Sequence, residues 1–251
     1  MNPDAYIEMA STEATHWWFT ARRSLLSSFI RGLALPDDAR ILEIGCGTGG
    51  NLQMLAEFGR VSALEMDARA RELAARSTGG QFEIRAGCCP ADIPYQGEQF
   101  DLICMFDVLE HIDEDIETLR AVRGLLAPGG CALITVPAYA WLWSKHDEFL
   151  HHKRRYVATG LRQTALAAGL KPVKLSYFNT LLFPLAVAVR LKDRLFNKTT
   201  PSGTTVPAAP VNRLLHRIFS SEQALLAHAN LPFGVSLVTV LVDEHPANAA
   251  A

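Results

Sequence analysis

The stretch Ile41-Leu42-Glu43-Ile44-Gly45-Cys46-Gly47-Thr48-Gly49-Gly50 decides the fold. A short apolar segment, Ala39 to Ile44, runs straight into the alternating glycines Gly45, Gly47 and Gly49, and the spacing predicts a helix over 50–58. Strand, glycine loop and helix in that order form the unit with which open α/β sheets present a ligand loop. Glycine has no Cβ, so such a loop turns tightly and lets a small molecule lie against its backbone.

Outward from this unit, apolar runs and helical stretches alternate. Strands are predicted at 60–65, 81–86, 100–106 and 130–136, and helices at 67–77, 113–126 and 158–168. Steady alternation predicts an α/β fold, a mostly parallel sheet with helices on both faces. Upstream, Leu25, Leu26, Phe29 and Ile30 recur at helical spacing and predict one N-terminal helix over 13–33. Downstream, strands are expected at 171–178 and 233–242, with an insertion of different character between them. There Leu181–Val189 is apolar and broken at Pro184, 197–210 is a Thr/Pro/Ala loop, and Val211, Leu214, Leu215, Ile218, Leu225 and Leu226 form a helical stripe. The chain is read as a single domain over 1–251, divided into an N-terminal helical lid (1–35), a ligand-binding core (36–140) and a helical insertion before the last strand (180–232).

Composition narrows the partners. A net charge of -2 over 251 residues argues against a nucleic-acid binder, which would carry a basic surface. The N-terminus has no basic segment followed by an apolar one, so no secretory leader is expected. Cys46, Cys88, Cys89, Cys104 and Cys131 form no CxxC pair, and they are expected as packed thiols in a reduced, cytoplasmic setting.

The second strand ends Ala63-Leu64-Glu65, about 20 residues past the glycine strand, where a carboxylate would hold a ribose diol. A dinucleotide loop would read GxGxxG. The GxGxG here, preceded by Glu43, speaks against a nucleotide-dependent oxidoreductase.

In order and spacing, ILEIGCGTGG, Glu65, FDLICMFDVLEHIDED (100–115) and LLAPGGCALITVP (125–137) resemble the motifs of class I S-adenosylmethionine-dependent methyltransferases, over about residues 39 to 140. The resemblance implies a Rossmann-like, seven-stranded sheet whose last two strands pair antiparallel. It implies S-adenosylmethionine contacts from Glu43, Gly45, Gly47, Gly49, Glu65, Met66, Phe106 and Asp107. Many relatives carry an Asp after the third strand for the adenine amino group. Cys88 stands at the matching place, so adenine is left to backbone groups or to Asp92. Arg23 is a candidate for the methionyl carboxylate.

Methyl transfer requires alignment of the nucleophile and, for a hydroxyl, removal of its proton. Asp107-Val108-Leu109-Glu110-His111 follows the fourth strand. His111 is read as a general base, as part of a loop that only shapes the cleft, or, with Glu110, as a divalent-metal site. The last reading rests on DxxEH resembling the ExxEH element of metal-dependent small-RNA 2′-O-methyltransferases and of some ubiquinone-type O-methyltransferases. Trp141 to Tyr156 follows the fifth strand on the same edge of the sheet. His152 is a second base candidate or a further metal ligand, and Trp143, Arg154, Arg155 and Tyr156 are candidates for the acceptor; the competing reading is a structural ion pair of Arg155 with Asp147, with Tyr156 packed against the next helix. With the N-terminal HWWFTARR, in which Trp18 is a further acceptor candidate, this segment resembles a widespread bacterial subfamily of these enzymes.

The resulting expectation is a methyltransferase acting on a small, lipophilic acceptor, with oxygen favoured by the histidines. It works in the cytoplasm. The apolar insertion is read as a lid over an apolar pocket, as a face in peripheral contact with the inner membrane, or as a dimer interface or extra core. Two alternatives stand beside it: a metal-dependent O-methyltransferase using the DxxEH element, and a non-catalytic cofactor-binding partner in a biosynthetic complex. The acceptor and the oligomeric state are left open by the sequence.

Overall fold

The computed structural model describes residues 3–196 and 205–245. Seven strands make the sheet: β1 (Arg40–Ile44), β2 (Arg60–Glu65), β3 (Glu83–Ala86), β4 (Phe100–Phe106), β5 (Leu126–Pro137), β6 (Leu170–Phe178) and β7 (Ser236–Asp243). Their order is β3-β2-β1-β4-β5-β7-β6; β7 runs antiparallel to both of its neighbours and the remaining pairs are parallel. This is the Rossmann-like arrangement that the motifs imply.

The sheet is buried on both faces because side chains alternate across each strand. Leu42, Ile103, Met105, Ile134 and Leu237 face the helices α5 (Asp115–Gly124) and α7 (Ala158–Ala167). Ile41, Leu102, Cys104, Leu133 and Val238 face α2 (Trp17–Arg31) and α9 (Ala209–His228). Three short helices, α3 (Leu52–Leu55), α4 (Ala68–Ser77) and α6 (Lys145–Phe149), follow β1, β2 and β5. Ends of parallel strands therefore gather at one edge, the position of ligand loops in such sheets.

Three expectations are corrected. The N-terminal segment is two helices, α1 (Pro3–Thr12) and α2, because His16 takes an extended conformation and its ring caps α2 by accepting the amide of Trp18. Pro184 does not break the apolar run. It is the second residue of α8 (Phe183–Phe196), where proline lacks only a donor that the first turn leaves unused. The loop expected over 197–210 ends at Ala208, with α9 starting at Ala209, and its part over 197–204 lies outside the described residues.

Candidate active site

The glycine loop adopts the conformations that its residues require. Gly45, Gly47 and Gly49 have φ of 72°, 54° and 84°, a region that other residues enter at a cost. A Cβ on Gly45 would stand 2.7 Å from Val108, so that glycine packs the loop onto the β4 turn. A Cβ on Gly47 would meet nothing within 4 Å, so the space above this glycine is open.

Two carboxylates flank the loop. Glu65, at the end of β2 and nearly buried, accepts the amides of Gly47 and Asp67, both at 2.9 Å. Glu43, at the end of β1, accepts Asn51 Nδ2 at 2.8 Å through Oε1, while its buried Oε2 has no partner. Burial pushes the Glu43 carboxyl up to about 8, against the opposing effects of Asn51 and Arg22. An orphaned buried oxygen beside an open glycine loop fits a ligand that brings a cationic donor. The methionyl ammonium of S-adenosylmethionine is such a donor, and Glu65 stands at the end of β2 across the loop from Glu43. Met66 is exposed, and the Cys88 backbone pairs with Asp92 through two 2.8 Å bonds that tie the loop after β3.

The N-terminal segment covers this loop. Tyr6 of α1 is buried, and its phenol is pushed up by burial and by the nearby Glu65 and Asp67. Glu13 accepts the Thr48 hydroxyl at 2.8 Å, and Arg23 donates to the Glu13 carbonyl at 2.7 Å. Arg22, one residue earlier, reaches the end of β4. It pairs with Asp107 at 2.7 Å and its guanidinium lies over the Phe106 ring. Asp107 has φ of 57° and also accepts the Thr135 hydroxyl, so its carboxylate is held from both α2 and β5. Arg22 shares the helical phase of Leu25, Leu26 and Phe29, which is the signal that could have singled it out over Arg23.

Beyond Asp107 the two histidine segments converge. Glu110, His111 and His152 offer ligand atoms within 4.8 Å of one another, and the two imidazole rings are 4.7 Å apart. Glu110 is fully buried with neither oxygen bonded; burial and Asp107 hold its carboxyl well above the usual range. Burial, followed by the neighbouring His152, pushes His111 down to about 3. His152 Nδ1 lies 2.9 Å from Asp147 Oδ1, and its Nε2 is 3.9 Å from Glu110. Asp147 is buried and accepts two bonds from Arg155, at 2.7 and 3.0 Å, and one from the Ser144 amide at 2.8 Å. Burial opposes its charge, but the bonds from His152 and Arg155 prevail and hold its carboxyl well below the carboxylate range. An ionised Asp147 only accepts, so Nδ1 of His152 carries a proton, and Nε2 is the ring nitrogen turned toward Glu110.

Several acceptor candidates are engaged elsewhere. Arg155 is committed to Asp147 and the Ala138 carbonyl. Arg154 is committed to Asp115 and the Asp113 carbonyl, and the Tyr156 hydroxyl donates to Asp115. Trp18 stacks on Phe178 and Phe219 in the core under α9. Trp143 ends the short turn after β5, half-buried. These residues frame the site, and Asp147, which orients His152, is the functional residue that motif reading underweighted.

The methyltransferase-domain family model matches residues 18–175. Among curated proteins, the ubiquinone biosynthesis O-methyltransferase of Roseobacter denitrificans is 34% identical over 113 residues, which is 42% of this chain and 45% of that one. The chain thus aligns with about half the length of that relative. A complex of the Haloferax volcanii Trm112 methyltransferase activator with a methyltransferase superposes with a TM-score of 0.62 at 17% identity, covering 97% of this chain and 95% of the other. The geranyl diphosphate C-methyltransferase of Streptomyces coelicolor, solved with S-adenosyl-L-homocysteine, does so with 0.57 at 13% identity, covering 87% and 78%. With the glycine loop, its two carboxylates and this sheet order already in place, the match over 18–175 establishes that the chain belongs to the methyltransferase-domain family, on the class I fold of S-adenosylmethionine-dependent enzymes.

Proposed function

We propose that the protein transfers a methyl group from S-adenosylmethionine to a hydroxyl of a small, lipophilic acceptor. The observation that carries the oxygen chemistry is the Asp147–His152 pair at 2.9 Å. The turn after β4 that sets Val108 against Gly45 continues into Glu110 and His111, whose ligand atoms lie within 4.8 Å of that of His152, so this pair sits beside the cofactor loop on the same edge. The curated relatives, named for O-methylation in ubiquinone biosynthesis, support the same atom and an apolar acceptor. Peripheral contact with a membrane belongs to this reading; among the described residues no helix is long and apolar enough to cross one.

S-adenosylmethionine, when bound, supplies a methyl group on a sulfonium with a good leaving group. Glu43 and Glu65 orient it, and Asp107 and Arg22 close the end of β4 beside it. His152 Nε2 accepts the acceptor's proton, while Asp147 fixes the tautomer and stabilises the imidazolium that forms. His111, held near 3, stays neutral. The test is product formation from lipophilic phenols and alcohols, followed by mass spectrometry. His152→Ala is expected to lower turnover on the order of 100-fold with cofactor affinity unchanged. Cofactor binding without transfer to any of them would favour a non-catalytic partner.

Glu43 gives a second expected result. An acid raised from 4.5 to about 8 favours folding fully below 4.5 and loses that contribution as pH rises through 8. A ligand ammonium favours the ionised form, so binding at pH 7 expels about one proton. Calorimetry in two buffers of different ionisation enthalpy should detect that proton with the native chain and none with Glu43→Gln. Equal proton counts would remove Glu43 from the cofactor site.

A metal-dependent version is favoured by one observation, the unbonded buried carboxylate of Glu110 within 4.8 Å reach of both imidazoles. Glu110, His111 and His152 would hold a divalent cation, whose charge would satisfy Glu110 and polarise the acceptor hydroxyl. In the same assay, loss of turnover with EDTA and its return with magnesium, manganese or zinc would select this version.

A further inference from the structure

The insertion differs in charge from the molecule that carries it. Residues 180–232 hold Arg190, Lys192, Arg194, Lys198, Arg213 and Arg217 against the two acids Asp193 and Glu222. The rest of the chain carries 18 basic and 24 acidic residues, out of 24 and 26 in all. A positive segment on a negative protein is complementary to a negatively charged surface.

The same segment leaves large apolar side chains in water. Leu181, just before α8, and Leu185, Val189 and Leu191 within it are each about half exposed, and Leu185 and Val189 stand one helical turn apart. The stripe begins at a cluster of aromatic rings. Phe183 packs 5.5 Å from Phe233 and 6.1 Å from Trp141, both of which are also widely exposed. A tryptophan and phenylalanines at the head of an exposed apolar helix with basic residues are the composition of a surface that lies in a lipid interface.

The cluster also leads inward. Phe183 and Trp141 both touch Tyr139, which stacks on Tyr177 at 5.1 Å. Tyr139 follows Ala138, whose carbonyl accepts Arg155, and Arg155 holds Asp147 and through it His152.

We propose that α8 and the Trp141–Phe183–Phe233 cluster form a docking face for anionic phospholipid bilayers. An apolar acceptor dissolved in the bilayer then passes over these rings toward His152. The delivery step rests on the reading of a lipophilic acceptor; the docking does not. Phospholipid headgroups supply the negative charge, the interface takes the apolar stripe, and the remaining, acidic part of the protein is repelled, which orients the cleft edge toward the membrane.

The experiment is flotation of the full chain with vesicles of phosphatidylcholine alone or mixed with phosphatidylglycerol, without acceptor or cofactor. Binding is expected to the mixed vesicles only and to weaken several-fold at high salt. Leu185→Glu with Val189→Glu should abolish it, and Lys192→Gln should lower it about fivefold. Both sites are exposed, and unchanged circular dichroism and cofactor affinity will show that the variants fold. No binding of the native chain to mixed vesicles, or equal binding by the double variant, overturns the proposal. So does a native dimer that the double variant dissolves while vesicles stay unbound, because the face is then an interface between two copies. Because no methyl transfer is read, a failed acceptor screen leaves this result standing, and failed flotation leaves the screen standing.

Discussion

Gly47→Arg is expected to abolish S-adenosylmethionine binding while the protein stays folded. The space above Gly47 is open for at least 4 Å from a Cβ, so an arginine side chain enters the cleft without striking the fold. It would fill the room of the ligand and bring a cation where an ammonium must sit. A loss of about 3 kcal/mol, on the order of a hundredfold in affinity, is the minimum expected. At φ of 54° the substitution costs about 1–2 kcal/mol of stability, well inside the margin of a folded domain. Calorimetric titration with a parallel melting curve separates the two effects. Gly45 does not permit this separation, because its Cβ would collide with Val108. Native affinity in the variant would move the cofactor elsewhere.

Asp147→Ala is expected to destabilise the protein more than any change at the surface. Asp147 and Arg155 are both buried, and removing one partner of a buried ion pair leaves the other charge uncompensated, at about 3–5 kcal/mol. The same carboxylate accepts His152 and the Ser144 amide, so the 144–155 loop loses its anchor too. Its carboxyl is held below the ordinary range, and so its contribution is complete above the unfolded value of 3.8. It is lost as pH falls below that. Urea midpoints of the native chain and the variant should therefore converge toward acid. Asp147→Asn keeps the volume, costs less stability, and should still slow transfer, because an amide need not hold the imidazole in one tautomer. A gap of under about 1 kcal/mol at neutral pH would make the pair a surface bridge in energy, whatever its burial.

These two residues mark what could be read from the chain. Gly47 was legible because a GxGxG after an apolar strand has a steric reason that needs no tertiary context. The central strands β1, β4, β5 and β7 were legible for a similar reason: they are buried on both faces over most of their length and so read as continuous apolar runs. Asp147 was visible as a partner for Arg155, but its hold on His152 depends on how one loop closes after β5, which no periodicity reports. Glu110, His111 and His152 were singled out on separate segments, and only the pairing of β4 with β5 brings them within a few ångströms. α1 was not foreseen and the start of α2 was placed four residues early, because no glycine or proline marks that boundary; a histidine ring does the capping instead. Arg22 was missed by one position of helical phase. Arg154, Arg155 and Tyr156 have the chemistry of ligand binders, yet they spend it on Asp113, Asp115 and Asp147.

The place of β7 has a consequence for synthesis. The strand nearest the C-terminus is an interior one, bonded along its length to β5 on one side and β6 on the other. While the ribosome is still making the insertion, β5 presents Cys131 to Pro137 as an open edge and β6 has no neighbour to join. The nascent chain thus carries an unsatisfied row of amides and carbonyls until nearly its last described residues emerge. In that interval it is open to pairing with other chains. A stop codon before Ser236 would make that state permanent.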